Sequence, residues 1–224
     1  MRYKFYREHK YVSFLLHEVE RLVAKTDFRT PSQVHRVQEE FTFLVNLLEG
    51  HADYENEALH ELLKKKGSSI HVHSEEDHKL QHEQLQWLQN TLTKVKECTD
   101  EEEQIELGYQ FYLHYRKFVS DNLAHLHEEE TIILPELQRL YTDEELQATS
   151  FATYEIMTAQ EMIHMMEGLF PHMNPSDKEA FLTDIKKSQP EKFIVAWEGI
   201  KDQFSPEERD YFENSLLLKS CEKV

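Results

Sequence analysis

Two pairs of residues constrain this chain more than any others: His51 with Glu55, and His125 with Glu129. In each pair an imidazole and a carboxylate stand four positions apart, inside a stretch whose apolar residues recur at helical spacing. A helix turns once in about 3.6 residues, so both members of a pair project from one face. His125 and Glu129 share that face with Phe118, Asn122, Ile133 and Leu140, and His51 and Glu55 share theirs with Leu44, Leu48, Leu59 and Leu62. Those faces are apolar and must be buried, which carries the carboxylates into a core. A buried carboxylate is costly unless it is paired or binds a metal.

The remaining sequence agrees with a helical reading. Only 5 Gly and 6 Pro interrupt 224 residues, which implies long helices, and no strand-like alternation is long enough to read. The net charge of −18 argues against nucleic acid and anionic membrane as partners. No apolar run approaches a transmembrane length, and the first ten residues lack the apolar stretch of a signal peptide, so a cytoplasmic protein is expected. Cys98 and Cys221 have no CxxC spacing, which suggests neither a disulfide framework nor a thiolate metal site. The 14 histidines are the compositional excess, and histidine is the commonest neutral metal ligand.

Taken in order, residues 3–26 form a first helix with Val12, Leu16, Val19 and Val23 on one stripe and His9 at its edge, His17 lying on the other side. Thr30-Pro31 starts a second helix, which carries His51 and Glu55 and ends at Lys64-Lys65-Lys66-Gly67. Ser74-Glu75-Glu76-Asp77 reads as the start of a third, on which His78, His82, Leu85, Gln89 and Leu92 share a face. Thr99-Asp100 starts the fourth, which runs through Phe111, Tyr115 and Phe118 to His125 and Glu129, with a bend expected at Pro135. Thr142-Asp143-Glu144-Glu145 begins a helix by a capping-box pattern. Further starts at Asn174-Pro175, Gln189-Pro190 and Ser205-Pro206 give a tail of shorter helices rich in Met.

The expected fold is therefore all-α: an up-down-up-down four-helix bundle over residues 1–142, then a C-terminal helical extension over 143–224. Its inward faces gather His9, His51, Glu55, His78, His82, His125 and Glu129. A single inward histidine is usually a hydrogen-bonded core residue, and His9 alone would imply little. Two His-x-x-x-Glu pairs and one His-x-x-x-His pair, all in phase with apolar stripes, point instead to a transition metal such as iron. His17 is the rival of His9, and His73 the rival of the third-helix pair. His114 and His127 fall off the core phase, and Glu128 and Glu130 read as surface charge.

His9-Lys10, His51-Ala52-Asp53-Tyr54-Glu55, Asp77-His78 with His82, and His125-Leu126-His127-Glu128-Glu129 through Pro135 together resemble the hemerythrin-like (HHE cation-binding) domain family. The resemblance implies a non-haem di-iron centre, with His9, His51, His78, His82 and His125 as terminal ligands and Glu55 and Glu129 as bridges. Oxygen-carrying members usually have an aspartate one residue beyond the position of Glu129. The function implied is binding or sensing of dioxygen, or of nitric oxide, at an open iron position. Two other readings stand beside it. One is a di-iron enzyme acting on peroxide or ferrous iron. The other is an iron-responsive module that presents its C-terminal helices to a protein partner.

Overall fold

A computed structural model describes residues 2–217, and Cys221 lies outside them. The described residues are helical, with no strand among them. The helices are α1 (His9–Val23), α2 (Pro31–Tyr54), α3 (His60–Lys65), α4 (His71–Glu97), α5 (Glu101–Glu128), α6 (Leu134–Leu140), α7 (Asp143–Ile156), α8 (Ala159–Leu169), α9 (Pro175–Ser188), α10 (Pro190–Ile200) and α11 (Pro206–Phe212). Among the described residues, no helix is long and apolar enough to cross a membrane.

The chain divides into two compact units. One is Val12–Leu140, and the other joins Tyr141 onward to the opening segment as far as Tyr11. The sequence pattern assigns the opening segment to the bundle region, and polar contacts explain the difference. Buried Asp184 of α9 accepts hydrogen bonds from the Tyr3 hydroxyl at 3.1 Å and the Gln147 amide at 2.5 Å, with the Arg7 guanidinium 3.8 Å away. Burial holds the Asp184 carboxyl above the usual carboxylate range. Lys10 pairs with Asp177, and the Tyr11 ring stacks on His172 at 5.3 Å. The tail has its own core, in which Met162, Met166, Leu182, Ile185, Phe193 and Phe212 are buried.

In the first unit, Val12, Leu16 and Val19 of α1 join Val37, Phe41 and Leu44 of α2, Leu88 and Leu92 of α4, and Phe111, Tyr115 and Phe118 of α5 in one apolar core. The Tyr115 hydroxyl is buried here and donates to the Leu16 carbonyl at 3.0 Å. α5 approaches the α1–α2 joint closely at Gly108, where an added Cβ would lie 2.4 Å from the Phe28 ring. Lys64 and Lys65 end α3 as the charge pattern predicts, followed by Gly67 at φ 72°.

Just before Pro135, where the sequence pattern suggests a bend, the helix carries a π turn. A π turn over Glu129–Ile133 separates α5 from α6, its Leu134 N–H bonding back five residues to the Glu129 carbonyl. A matching π turn over Glu55–Leu59 separates α2 from α3, closed by His60 N–H on the Glu55 carbonyl. Each π turn begins on one of the two inward glutamates. Single π turns inside α-helices are frequent at functional sites.

Two other boundaries differ from the sequence reading. α1 starts at His9, after an opening segment in which Tyr6 adopts φ 68° and lays its ring 4.6 Å from that of His9. α4 starts at His71, so Ser74 is an interior residue; its hydroxyl is buried and faces Glu129 Oε1 at 3.4 Å instead of capping a helix.

Candidate metal centre

The two His-x-x-x-Glu pairs meet in the interior of the Val12–Leu140 unit. Glu55 and Glu129 are fully buried, at 0 % exposure each, and His78 and His125 are 8 % and 5 % exposed. Each of these four presents one ligand atom, all within 4.8 Å of one another. His51, Glu55 and Glu129 meet the same criterion, so the two groupings share both carboxylates. Glu55 faces both ways: Oε1 is 3.4 Å from His51 Nε2, and Oε2 is 3.3 Å from His78 Nε2. Glu129 Oε1 is 3.2 Å from His125 Nε2 and 3.9 Å from His78 Nε2. The two imidazole Nε2 atoms face each other at 2.9 Å.

Neighbouring side chains decide which atoms hold hydrogens. Asn56 Oδ1 is 3.1 Å from His78 Nδ1 and 3.1 Å from His60 Nδ1. A carboxamide oxygen only accepts, so both rings carry their hydrogen on Nδ1. His125 Nδ1 likewise donates to Asp77 Oδ2 at 3.3 Å. In neutral His78 and His125, Nε2 therefore carries a lone pair facing the carboxylates. Second ring nitrogens held in this way by a carboxylate or amide are typical of metal-ligating histidines.

The electrostatics separate the rings. Burial pushes His78 down to about 4, reinforced by His125 beside it. Burial likewise pushes His60 down to about 4. Burial also disfavours a charged His125, but Glu129 and Asp77 on its two nitrogens outweigh it, and its pKa stands raised. In the metal-free protein His125 is thus the ring of this group whose surroundings favour a proton. A cation would take that proton's place. Metal–ligand bonds of about 2.0–2.2 Å set ligand atoms about 3–4 Å apart, and the observed separations of 2.9–3.9 Å fit them.

His82, expected as a ligand, and the alternatives His17 and His73 stand elsewhere. His82 is 53 % exposed, with Glu49 Oε1 3.5 Å from its Nδ1, and is not brought into the cluster. The buried stripe of α4 runs His71, Ser74, His78, Leu85, Leu88, Leu92 and Val95, a three-four alternation that leaves His82 and Gln89 on its flank. His9 is buried and belongs to the other compact unit; His17 is exposed and bonded to the Ser13 carbonyl. His73 is 65 % exposed. His114 and His127 are exposed as expected.

Sequence reasoning misses His60 and His71, which are buried and lie with ring centroids 5.9 Å apart, His60 stacking on His78 at 5.8 Å. It also misses Asn56 and Asp77, which set the tautomers. An open cleft of about 770 Å³ leads to His78 and Asn56, lined by Leu48, Leu85, Phe118 and Asn122 and rimmed by Glu49 and Asp53.

A family model of the hemerythrin HHE cation-binding domain matches residues 1–137. The chain belongs to that family. It is thus an all-helical protein with a cation-binding domain, and its His/Glu groups could hold a metal ion. No curated protein and no solved structure matches it.

Proposed function

We propose that the four long helices, α1, α2, α4 and α5, form an up-down-up-down bundle of the hemerythrin type around a non-haem di-iron centre that binds or senses dioxygen or nitric oxide. One observation carries the reading: within one interior, four imidazole and carboxylate groups aim acceptor atoms at a common point, while Asn56 and Asp77 hold the Nδ1 hydrogens away from it. The two-sided placement of Glu55 supports two metal positions, one toward His51 and one toward His78 and His125. Iron held there would supply the chemistry to bind a small diatomic ligand. His51, His78, His125, Glu55 and Glu129 are the proposed ligands, with His9 as the further imidazole. Leu48, Leu85 and Phe118 give the cleft an apolar wall beside His78.

The size of that cleft favours a second reading. At about 770 Å³ with acidic groups at its rim, it admits peroxide or a hydrated cation as readily as a diatomic gas, which suits a di-iron enzyme acting on peroxide or ferrous iron. Metal analysis and the visible spectrum after anaerobic reconstitution with ferrous iron, followed by air, separate the readings. We expect about two irons per chain and a band that appears and disappears with oxygen. Two irons that oxidise once without a reversible band would favour the enzyme, and protein that retains no iron would overturn both.

A further inference from the structure

A second imidazole–carboxylate group lies outside the buried centre. His73 and Asp77 are i, i+4 neighbours on α4, and Glu128 reaches them from the last turn of α5. One ligand atom from each lies within 4.8 Å of the others. His73 Nε2 is 3.5 Å from Glu128 Oε2, and His73 Nδ1 is 4.0 Å from Asp77 Oδ1. The three side chains are 65 %, 27 % and 42 % exposed, so water reaches them.

Two features tie this group to the interior. A small, partly open cavity of about 140 Å³ adjoins it, lined by His73, Glu128, Ser74, His125 and Glu129 together with three isoleucines. A water occupies about 30 Å³ of liquid, so that space holds a cation with a few waters. Asp77 is common to both sites, with Oδ1 toward His73 and Oδ2 on His125 Nδ1. Surface ion pairing through the two ring nitrogens of His73 accounts for its contacts with Asp77 and Glu128 and contributes little. It does not account for His73 and Glu128 lining a cavity that also reaches His125 and Glu129.

We propose that His73, Asp77 and Glu128 form a solvent-accessible site for a divalent first-row cation, which passes ions through the adjoining cavity to the buried His/Glu centre. One imidazole and two carboxylates suit ferrous iron, manganese or zinc, and three half-exposed ligands hold such an ion more weakly than the buried set does. Transfer therefore runs inward. The transfer step rests on the buried centre binding metal as proposed above; cation binding at the outer site does not.

The test compares the full chain with His73→Ala/Glu128→Gln and with His125→Ala, by zinc titration at equilibrium and by the time course of anaerobic ferrous loading. Asp77 is left intact because it also positions His125. The double variant is expected to lose one zinc equivalent and to load iron at least about tenfold more slowly, while reaching the same final iron content. His125→Ala should keep the outer zinc equivalent while losing iron. An unchanged zinc stoichiometry in the double variant would overturn the site, and a lost equivalent with unchanged loading would overturn the transfer. Outer zinc binding in a chain that retains no iron would discard the buried centre and leave the outer site standing.

Discussion

His60 and His78 send their Nδ1 hydrogens to a single oxygen, that of Asn56, and this gives a small side chain control over the centre. Removing it frees both rings to turn over to the other tautomer, which in His78 would place a hydrogen on Nε2 where a lone pair is needed. Asn56→Ala is expected to weaken metal binding about tenfold or more with unchanged helix content, and Asn56→Asp, which keeps an acceptor, to restore it. Equal affinity in all three proteins, measured by competition with a chelator, would remove Asn56 from this role. His78→Ala should lose metal, whereas His82→Ala, on an exposed residue, should retain it. Acid acts on the centre in two stages. The raised His125 takes up a proton first, so metal affinity should begin to fall as pH drops through the upper histidine range. His78, held down near 4, competes with metal only at much lower pH. His78 and His60 both bind a proton more readily in the unfolded chain than in the folded one. In metal-free protein each therefore favours unfolding as pH falls from about 6.5 towards 4, by up to about 3 kcal/mol. Denaturant melts across that range measure the loss, and a flat profile would contradict the burial of these rings.

Much of the helical pattern can be read from the sequence because its signals are local. Asp100, Thr142, Asn174 and Ser205 each accept a hydrogen bond from the backbone N–H three residues on, as their side-chain chemistry implies. The helix start at Thr158, absent from the sequence reading, has the same capping-box signature, completed by Glu161. The site is less legible, for reasons of phase. His51–Glu55 and His125–Glu129 each fall within one turn, where helical periodicity holds. Beyond each glutamate the π turn inserts a residue and holds the following segment back by roughly 100°, which brings His60 to the inside where an unbroken helix would not. On α4 the buried stripe follows a three-four alternation, so counting i and i+4 from His78 lands on its flank at His82. Asn56 has no sequence signal, since its role depends on two rings from different helices. The packing of α5 gives a test at this scale. Gly108→Ala should cost about 1–3 kcal/mol, because its Cβ would overlap the Phe28 ring. The pair Gly108→Ala/Phe28→Ala should lose less than the sum of the single changes in thermal melts, and strict additivity would mean that the two do not meet.

At the scale of the molecule, the chain carries a net charge of −18 around the proposed cation centre. Such a field raises the local cation concentration and should speed capture at low ionic strength. The Debye length shrinks from about 30 Å at 0.01 M salt to about 8 Å at 0.15 M, so ferrous loading should slow markedly across that range while final metal content holds. A loading rate indifferent to salt would mean that only the nearest carboxylates guide the ion. The two glutamates that open the π turns also set how this molecule can change in length. Adding or deleting one residue within 55–59 or 129–133 leaves the glutamate and its upstream histidine in place but rotates everything after them on that helix. It acts as a frameshift in space, with the letters downstream unchanged and their facing altered. Loops elsewhere can lengthen without that penalty, whereas in these two short segments the count of residues matters more than their identity.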